Sequence, residues 1–393
     1  MLNKAILDPE VSKFIEDNQK KDLPSLILKG SPFENVTVQE LAVQIKGLNV
    51  AEKKFPEFYK NPYIIYPPKL NLEQTSSEIT AKYKASLMNG DYGIDLTGGL
   101  GIDTYFISKN FQDFTYCELN KDLAEIAEHN FKALSADNIS VIKGDGLIFL
   151  KESKGNSDWI YADPARRDDR GGKVFKFEDC DPNIPQNLEL LFNHTENLMV
   201  KSSPILDISA GLLELKFVKE VHVVAVRNEV KELLWILQKD YDAPPIVKTI
   251  NFENDSVQKF SNEKDGADEI AELDQPETYL YEPNAAILKS GMFNLLAVQT
   301  QTKKLHQHSH LYTSKKIVDF PGRKFQITDI KSYKPTELKK YFKSKKANIT
   351  TRNFPESVES IRKKFKIRDG GSDYIFFTTN MNDEKIVIFC KKV

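Results

Sequence analysis

The stretch YGIDLTGGLGID, residues 92–103, has the pattern of a buried strand, a glycine turn and the first turn of a helix. Ile94 and Leu96 are typical of a buried strand, and Asp95 lies near its end. The glycines that follow let the backbone turn tightly and approach a ligand closely. A helix N-terminus beside bare backbone is a polar cradle for a small charged ligand. We therefore predict a ligand site formed by Asp95, Thr97, Gly98, Gly99, Gly101 and Asp103.

The spacing of the glycines indicates which of two kinds of ligand the turn would bind. Dinucleotide-binding turns follow G-x-G-x-x-G, whereas Thr104 stands here where the third glycine would be. An acidic residue so close to the turn, Asp95, is also a poor neighbour for a pyrophosphate. The pattern is better suited to a cationic ligand that carries an amine and a sulfonium. On this stretch alone, a purely structural turn remains the alternative.

Three further predicted strands end in acidic residues. Glu118 ends the strand predicted at 114–118, about 20 residues downstream, which is the spacing at which a carboxylate meets a ribose diol. Asp145 follows a strand at 139–143, and Asp163 follows a strand at 158–162. The carboxyl ends of parallel strands lie along one edge of a sheet, where open α/β sheets bind ligands. We therefore expect four carboxylates along one edge.

Residues 92–252 resemble the class I S-adenosylmethionine-dependent methyltransferases. The resemblance implies that the cofactor is S-adenosyl-L-methionine and that Asp95, Glu118 and Asp145 hold its methionine end, ribose and adenine. It also implies that Asp163 lies beside the methyl group. The cofactor-binding set predicted on this basis is completed by Gly146 and Pro164.

The fourth motif, Asp163-Pro164-Ala165-Arg166-Arg167, departs from relatives that methylate exocyclic amines, where it reads Asp/Asn-Pro-Pro-aromatic. Ala165 and Arg166 replace the second proline and the aromatic residue. The guanidinium of Arg166 can stack on a base or fork onto a phosphate. We expect direct methyl transfer in which Asp163 orients or deprotonates the acceptor, while Arg166 and Arg167 hold its phosphate.

The 3 cysteines are far apart and have no paired spacing. This argues against a disulfide framework or a zinc ribbon and for a reducing compartment. Cys180 is the one candidate nucleophile for pyrimidine C5 methylation close to the fourth motif, but nothing near it in the sequence is activating. No metal site is predicted.

Length and charge set broad limits. The 393 residues predict two to four domains. A formal net charge of -2 means that any nucleic-acid surface must be local. No apolar run approaches the roughly 18 residues of a membrane span, and the N-terminus does not read as a signal peptide. We expect a cytoplasmic protein.

The predicted fold class is α/β: a doubly wound Rossmann-like methyltransferase sheet, an N-terminal helical leader and a C-terminal α+β module. The whole chain also resembles bacterial methyltransferases that have a THUMP-like domain, through residues 74–78, 163–167, 281–286 and 365–371. The predicted domains are an N-terminal helical domain at 1–70, the methyltransferase domain at 71–255, a small ferredoxin-like module at 278–322 and a basic THUMP-like domain at 323–393.

Several local predictions accompany this division. Thr37-Val38-Gln39-Glu40 reads as a capping box, and a further helix is predicted at 52–59. In the helix predicted at 72–85, Ser77, Thr80 and Lys84 share one face, either solvated or over the cofactor. Helices are also predicted at 187–193, 208–217 and 229–238, and a linker at 253–277. His306, His308 and His310 alternate on a strand predicted at 305–312, as a solvated face or, less in keeping with their neighbours, a metal site.

The last domain is predicted to be βαβαββ, with two helices rich in lysine and arginine. Such a cluster is an electrostatic footprint for phosphates, although a solvated lysine-rich face would have the same composition. THUMP domains bind RNA in several RNA-modifying enzymes, so the resemblance implies an RNA partner, tRNA or rRNA. The alternatives are a methyltransferase of a small molecule or protein, and a non-catalytic RNA-binding relic.

Overall fold

The computed structural model describes residues 2–68, 72–73, 75–166, 176–262, 270–342 and 346–393. The chain divides into two compact units. The first comprises Met1–Lys219 and Leu234–Pro244, and the second comprises Glu220–Leu233 and Pro245–Val393.

The first unit opens with four helices: α1 Pro9–Asp17, α2 Leu23–Lys29, α3 Val38–Lys54 and α4 Pro56–Tyr59. The predicted capping box is present, because Thr37 accepts from the backbone of Glu40 and the Glu40 side chain accepts from the backbone of Thr37. The helix predicted at 52–59 is wrong as a single element. Pro56 cannot continue α3 and instead starts α4 at its first position.

The remaining elements of the first unit alternate in the way that a doubly wound sheet requires. They are α5 Glu78–Ala85, β1 Gly90–Asp95, α6 Ile102–Ser108, β2 Phe111–Cys117, α7 Lys121–Ala133, β3 Ile139–Ile142, α8 Gly146–Glu152, β4 Trp159–Ala162, β5 Ala165–Arg166, β6 Cys180–Asp181, α9 Ile184–Phe192, β7 Asn197–Ser202 and α10 Ile208–Glu214. The strand order is β7-β4-β1-β2-β3, and each neighbouring pair is parallel. This is the predicted Rossmann-like sheet.

Helix α5 is shorter than predicted because Ser77 caps it by accepting from the backbone N–H of Thr80. Its face with Thr80 and Lys84 is not solvated, since both residues are buried. The chemistry of this buried face is described with the site.

The helix predicted at 229–238 is wrong. Residues Glu229–Gln238 form β9, which follows β8 (Val218–Val226). Arg227 and Asn228 join them with φ values of 52° and 61°, the left-handed conformation that two-residue hairpin turns use. Five consecutive side chains, residues 233–237, are buried. A strand covered on both faces accounts for such a run, whereas an amphipathic helix exposes part of it.

The predicted linker at 253–277 is wrong in part. Strand β10 (Ile246–Phe252) pairs in parallel with β8, and β11 (Val257–Ser261) pairs antiparallel with β10. The sparse apolar residues of β11 fit an edge strand, where one side faces solvent.

The second unit also contains a seven-stranded sheet with order β13-β14-β12-β15-β18-β17-β16. Its elements are β12 Tyr279–Pro283, α11 Ala285–Ser290, α12 Phe293–Thr300, β13 Lys303–Lys304, β14 Tyr312–Ser314, β15 Gly322–Ser332, α13 Pro335–Phe342, β16 Asn348–Arg352, α14 Val358–Phe365, β17 Asp373–Thr379 and β18 Lys385–Lys392. From β15 to β18 the order is the predicted βαβαββ. Helices α13 and α14 bury Leu338, Phe342, Ile361 and Phe365 in one apolar cluster.

The strand predicted at 305–312 is wrong. Strand β13 ends at Lys304, residues 305–311 form a turn, and β14 begins at Tyr312. His310 has a φ of 49°, which breaks strand alternation. The three histidines therefore share no strand face. Within the described ranges, no group of three His, Cys, Asp or Glu side chains is arranged to hold a metal ion.

Among the helices that the model describes, none is long and apolar enough to cross a membrane.

A substitution in α10 tests the placement of β9. A methyl group at Gly211 would lie 2.3 Å from the fully buried indole of Trp235. We expect Gly211→Ala to lower the free energy of unfolding by about 1–3 kcal/mol through overpacking. The measurement is urea unfolding followed by tryptophan fluorescence, which reports the first unit because both tryptophans, Trp159 and Trp235, lie there.

Gly155→Ala is the control, because a methyl group there meets nothing within 4 Å. We expect it to change stability by less than about 0.5 kcal/mol. Equal stability of Gly211→Ala and Gly155→Ala would contradict the packing of Trp235 on α10.

Candidate active site

The four acidic strand ends come from four neighbouring strands. Asp95 is the last residue of β1, Glu118 directly follows β2, Asp163 directly follows β4, and Asp145 lies three residues beyond β3. In the sheet these strands are adjacent and parallel, in the order β4-β1-β2-β3. The carboxylates therefore occupy the carboxyl edge of the sheet, where ligands of open α/β folds bind.

The glycine turn is closed by the backbone. Gly101 N–H donates to the carbonyl of Gly98 at 2.9 Å, and Gly98 N–H donates to Cys117 at 2.8 Å. Gly99 and Gly101 have φ values of 57° and 82°, which disfavour other residues. Gly98 is required for a different reason: a methyl group there would lie 2.0 Å from the Tyr116 ring.

Asp95 is buried at the base of this turn. Its Oδ1 accepts from the backbone N–H of Thr97 at 2.9 Å, and its Oδ2 accepts from the hydroxyl of Thr104 at 2.6 Å. Burial raises the pKa of Asp95 to about 7, despite these two hydrogen bonds, which act to lower it. A cation that approached Asp95 would therefore favour its ionised form.

Glu118 ties the turn to the sheet. Its Oε2 accepts from Gly99 N–H at 2.9 Å, and its Oε1 accepts from Asn120 N–H at 2.7 Å. Both bonds fix the direction of the carboxylate. The glutamate thus holds the glycine turn and remains partly exposed at the edge of the sheet.

Asp145 caps α8. Its Oδ1 accepts from the N–H groups of Leu147 and Ile148 at 2.7 and 3.3 Å, while Oδ2 has no hydrogen-bond partner among the described residues. The neighbouring Gly146 lets the helix approach β1, because a methyl group there would lie 2.8 Å from the carbonyl oxygen of Leu96.

Two large apolar side chains lie exposed beside these carboxylates. Leu119, next to Glu118, is 68% exposed, and Ile148, three residues after Asp145, is 53% exposed. Sequence reasoning missed them. The one indication of these residues in the sequence was that apolar residues follow two of the acidic strand ends.

Asp103 lies in a buried ionic network. Its Oδ1 is 3.1 Å from the ammonium of Lys84, which is fully buried. Its Oδ2 accepts from Ser76 at 2.7 Å and from Tyr161 at 2.9 Å. Burial raises the pKa of Asp103, but the ammonium groups of Lys84 and Lys201 outweigh it and hold the pKa below its usual value. The network joins α5, α6 and β4.

Asp163 forms an ion pair with Lys201, at the carboxyl end of the neighbouring strand β7. Its backbone N–H donates to the hydroxyl of Thr97 at 2.6 Å, so the glycine turn and the fourth motif are directly connected. Sequence reasoning missed Lys201. Its one signal was a lysine near the end of an apolar strand, which by itself does not indicate a site.

The segment after Asp163 is described only in part. Pro164 is followed by β5, in which Arg166 is exposed and pairs with Cys180 of β6 in an antiparallel register. Arg167 and the charged glycine loop behind it lie outside the described residues. Cys180 is buried, and burial raises the pKa of its thiol to about 11. The thiol is therefore protonated near neutral pH and unsuited to nucleophilic attack.

Comparison with solved structures gives a match along the full length of the chain. The crystal structure described as "putative methyltransferase from Porphyromonas gingivalis W83" covers 100% of this chain and 100% of that chain, at 30% identity and a TM-score of 0.88. The chain belongs to this methyltransferase family. Family models match the C-terminal part: a ferredoxin-like domain at residues 279–321 and a THUMP-like domain at 322–392.

More distant structures resemble part of this methyltransferase. An O-methyltransferase from Bacillus cereus in complex with S-adenosylhomocysteine covers 49% of this chain and 97% of that chain, at 12% identity and a TM-score of 0.35. An rRNA methylase from Streptococcus thermophilus covers 41% and 94%, at 13% identity and a TM-score of 0.29. A comparison with curated protein sequences found no significant match.

The buried ion pair gives a prediction about stability. Lys84→Met leaves Asp103 buried without its cation, and we expect it to lower the free energy of unfolding by about 3–5 kcal/mol. The double variant Lys84→Met/Asp103→Asn should lose less than the sum of the two single variants, because it removes both charges. Urea unfolding followed by tryptophan fluorescence measures all three.

The control is Lys82→Met in the same helix, since Lys82 is 54% exposed and pairs with Glu78 at the surface. We expect a loss below about 1 kcal/mol. Additive losses in the double variant would show that Lys84 and Asp103 do not interact.

Proposed function

We propose that the protein is an S-adenosylmethionine-dependent methyltransferase that acts on RNA. The observation that carries the first part is the row of carboxylates at the ends of β4, β1, β2 and β3 around a glycine turn. The family supports methyl transfer as the reaction class. The chemistry of the residues at this edge supports S-adenosylmethionine as the cofactor.

The residues at the edge fit a cofactor with a cationic end and a nucleoside end. Asp95 is a buried carboxylate whose ionised form a cation stabilises, and Glu118 and Asp145 present oxygens to hydroxyl and amine groups. Leu119 and Ile148 would contact the apolar faces of the adenine. The backbone of the glycine turn and its neighbours lets the cofactor approach closely, and Thr97 connects the turn to the fourth motif. The residues concerned are Thr97, Gly98, Gly99, Gly101, Gly146 and Pro164.

Asp103 has a different role in this proposal. Its carboxylate is engaged by Lys84, Ser76 and Tyr161, so it positions α6 behind the glycine turn and does not bind the cofactor by its side chain. It is a positioning residue.

S-adenosylmethionine supplies a methyl group on a sulfonium, which is already activated for transfer. The protein then contributes mainly proximity and alignment, worth up to about 7–11 kcal/mol in well-oriented systems. Lys201 fixes the carboxylate of Asp163, which therefore orients the acceptor by accepting a hydrogen bond from it. Arg166 is exposed and binds the phosphate of the acceptor, together with Arg167. The protonated, buried thiol of Cys180 argues against a covalent pyrimidine C5 mechanism.

The basic surface of the THUMP-like domain supports RNA as the substrate. Helices α13 and α14 bury their apolar residues in the same cluster, so their outer faces lie on one side of the sheet. The exposed lysines described on these helices and directly after α14 are Lys339, Lys340, Lys363, Lys364 and Lys366. Lys364 and Arg362 are held by Glu356 and Asp369, and Lys343 and Lys345 lie outside the described residues. A small-molecule or protein substrate needs no such surface.

We also propose the four-part organisation with domains at 1–70, 71–255, 278–322 and 323–393. The family matches at 279–321 and 322–392 support the last two. We also propose a cytoplasmic location, in keeping with an RNA substrate.

Binding of the cofactor is the first test. We expect isothermal titration of the full-length protein with S-adenosylmethionine to give measurable binding. Asp95→Asn and Glu118→Gln should each weaken it about 10- to 100-fold, because each removes a charge-assisted contact. Asp91→Asn is the matched control at the exposed start of β1. The absence of heat at millimolar S-adenosylmethionine, or equal affinity of the three variants for it, would contradict the proposal.

RNA binding is tested by its dependence on salt. We expect Lys339→Gln/Lys340→Gln/Lys363→Gln/Lys366→Gln to weaken RNA binding and to reduce the slope of log K against log salt by up to about 3, at roughly 0.7 per phosphate contact for single strands. A filter-binding titration of tRNA and rRNA fragments over a salt series measures the slope.

The control removes the same charge from α1, α2 and the turn between them: Lys13→Gln/Lys20→Gln/Lys21→Gln/Lys29→Gln, all at exposed positions. It should leave the slope unchanged. If both quadruple variants behave alike, or if labelled methyl groups reach small molecules or proteins but no RNA, the RNA part of the proposal is wrong.

A further inference from the structure

A cavity lies within the second unit, and none of its described lining residues is assigned to methyl transfer. Its volume is about 600 Å³, which is in the range of sites for nucleotide-sized ligands. It lies where α12 begins and where residues 305–311 turn between β13 and β14. The polar and aromatic residues on its wall include Ser290, Phe293, Asn294, Lys304, His308 and His310.

Lys304 is a buried cation that has no anionic partner among the described residues. It is 4% exposed, and its ammonium donates to Asn294 Oδ1 at 3.2 Å and to the carbonyl of Gln307 at 3.0 Å. Both acceptors are neutral, and no Asp or Glu in the described part of the chain lines the cavity. Burial lowers the pKa of Lys304. A buried ammonium is costly unless an anion accompanies it.

His310 lies on the same wall, among basic side chains. Its ring stacks on Phe293, with centroids 3.6 Å apart. Burial lowers the pKa of His310 to about 4, and the neighbouring basic groups Lys304, Arg352 and His308 lower it further. Its Nδ1 is buried and makes no hydrogen bond within the described ranges. Among the described residues that line the cavity, Lys304 is a cation and none is an Asp or Glu, so the wall favours an anion.

We propose that this cavity binds a phosphomonoester. Lys304 has one N–H that no described acceptor uses, and the amide N–H₂ of Asn294 and the ring of the exposed His308 are further donors on the wall. The several acceptor oxygens of a phosphate group can use such donors together. The volume leaves room for an attached nucleoside. The phosphate belongs to a free nucleotide or to the phosphorylated end of an RNA, and the site does not depend on methyl transfer.

Isothermal titration of the full-length protein tests the site, with uridine 5′-monophosphate, uridine, and a uridine dinucleotide with and without a 5′-phosphate. These probes avoid the adenine that the cofactor site would accept. We expect binding of the phosphorylated probes and not of their unphosphorylated counterparts. Binding of the monophosphate alone identifies a free nucleotide, and comparable or tighter binding of the phosphorylated dinucleotide identifies an RNA end.

Two variants test the residues. Lys304→Met keeps the length of the side chain, removes its charge, and should weaken binding about tenfold or more. Lys303→Met is the control on the same strand, because Lys303 pairs with Asp274. Asn294→Asp places a carboxylate beside Lys304, so it should abolish phosphate binding while raising the melting temperature, which a misfolded variant could not do.

Two results would overturn the proposal. One is the absence of heat with both phosphorylated probes at millimolar concentration. The other is binding that neither Lys304→Met nor Asn294→Asp changes. Titration with S-adenosylmethionine under the same conditions measures binding at the proposed cofactor site separately.

Discussion

The buried ion pair between Lys84 and Asp103 is the interaction on which the proposed active site depends. It connects α5 to α6, and through Tyr161 it reaches β4. Two opposite charges in a water-excluded interior attract each other strongly, but either one alone is costly there. Helix α6 begins directly after the glycine turn, so the pair fixes the direction in which the turn faces. A displaced α6 would carry the turn away from the neighbouring strand ends.

The carboxylates along the edge have structural partners as well as proposed ligands. Glu118 accepts from Gly99, Asp145 caps α8, and the backbone of Asp163 donates to Thr97. Each group is therefore held in place before a ligand arrives, which reduces the conformational entropy that binding costs. Asp95 differs because its environment disfavours its charge. In the proposed function, the cationic end of the cofactor would relieve that cost.

In the second unit, a buried carboxylate again organises charged groups. Glu282, on β12, is 3% exposed and accepts from Arg323 of β15 and Arg352 of β16. Strands β12 and β15 are neighbours in the sheet, whereas β16 lies at its edge, so the glutamate links residues that are distant in sequence. The lysines of α13 and α14 that the structure describes, Lys339, Lys340, Lys363 and Lys364, are exposed. Lys304 of β13 differs, because it is buried and its ammonium has neutral partners alone among the described residues.

The sequence by itself determined the glycine turn, the acidic ends of four parallel strands and the βαβαββ order of the last domain, because turns, caps and strand alternation are local patterns. It did not determine that β9 is a strand, since a run of buried apolar residues fits a helix as well until its neighbours are known. It also did not determine the partners of the charged residues. Lys84, Lys201 and Lys304 look like surface lysines in the sequence, and only the packing of distant segments buries Lys84 and Lys304 and partly buries Lys201. Burial changes what a charge costs and which partner it needs, and burial is a property of the tertiary structure.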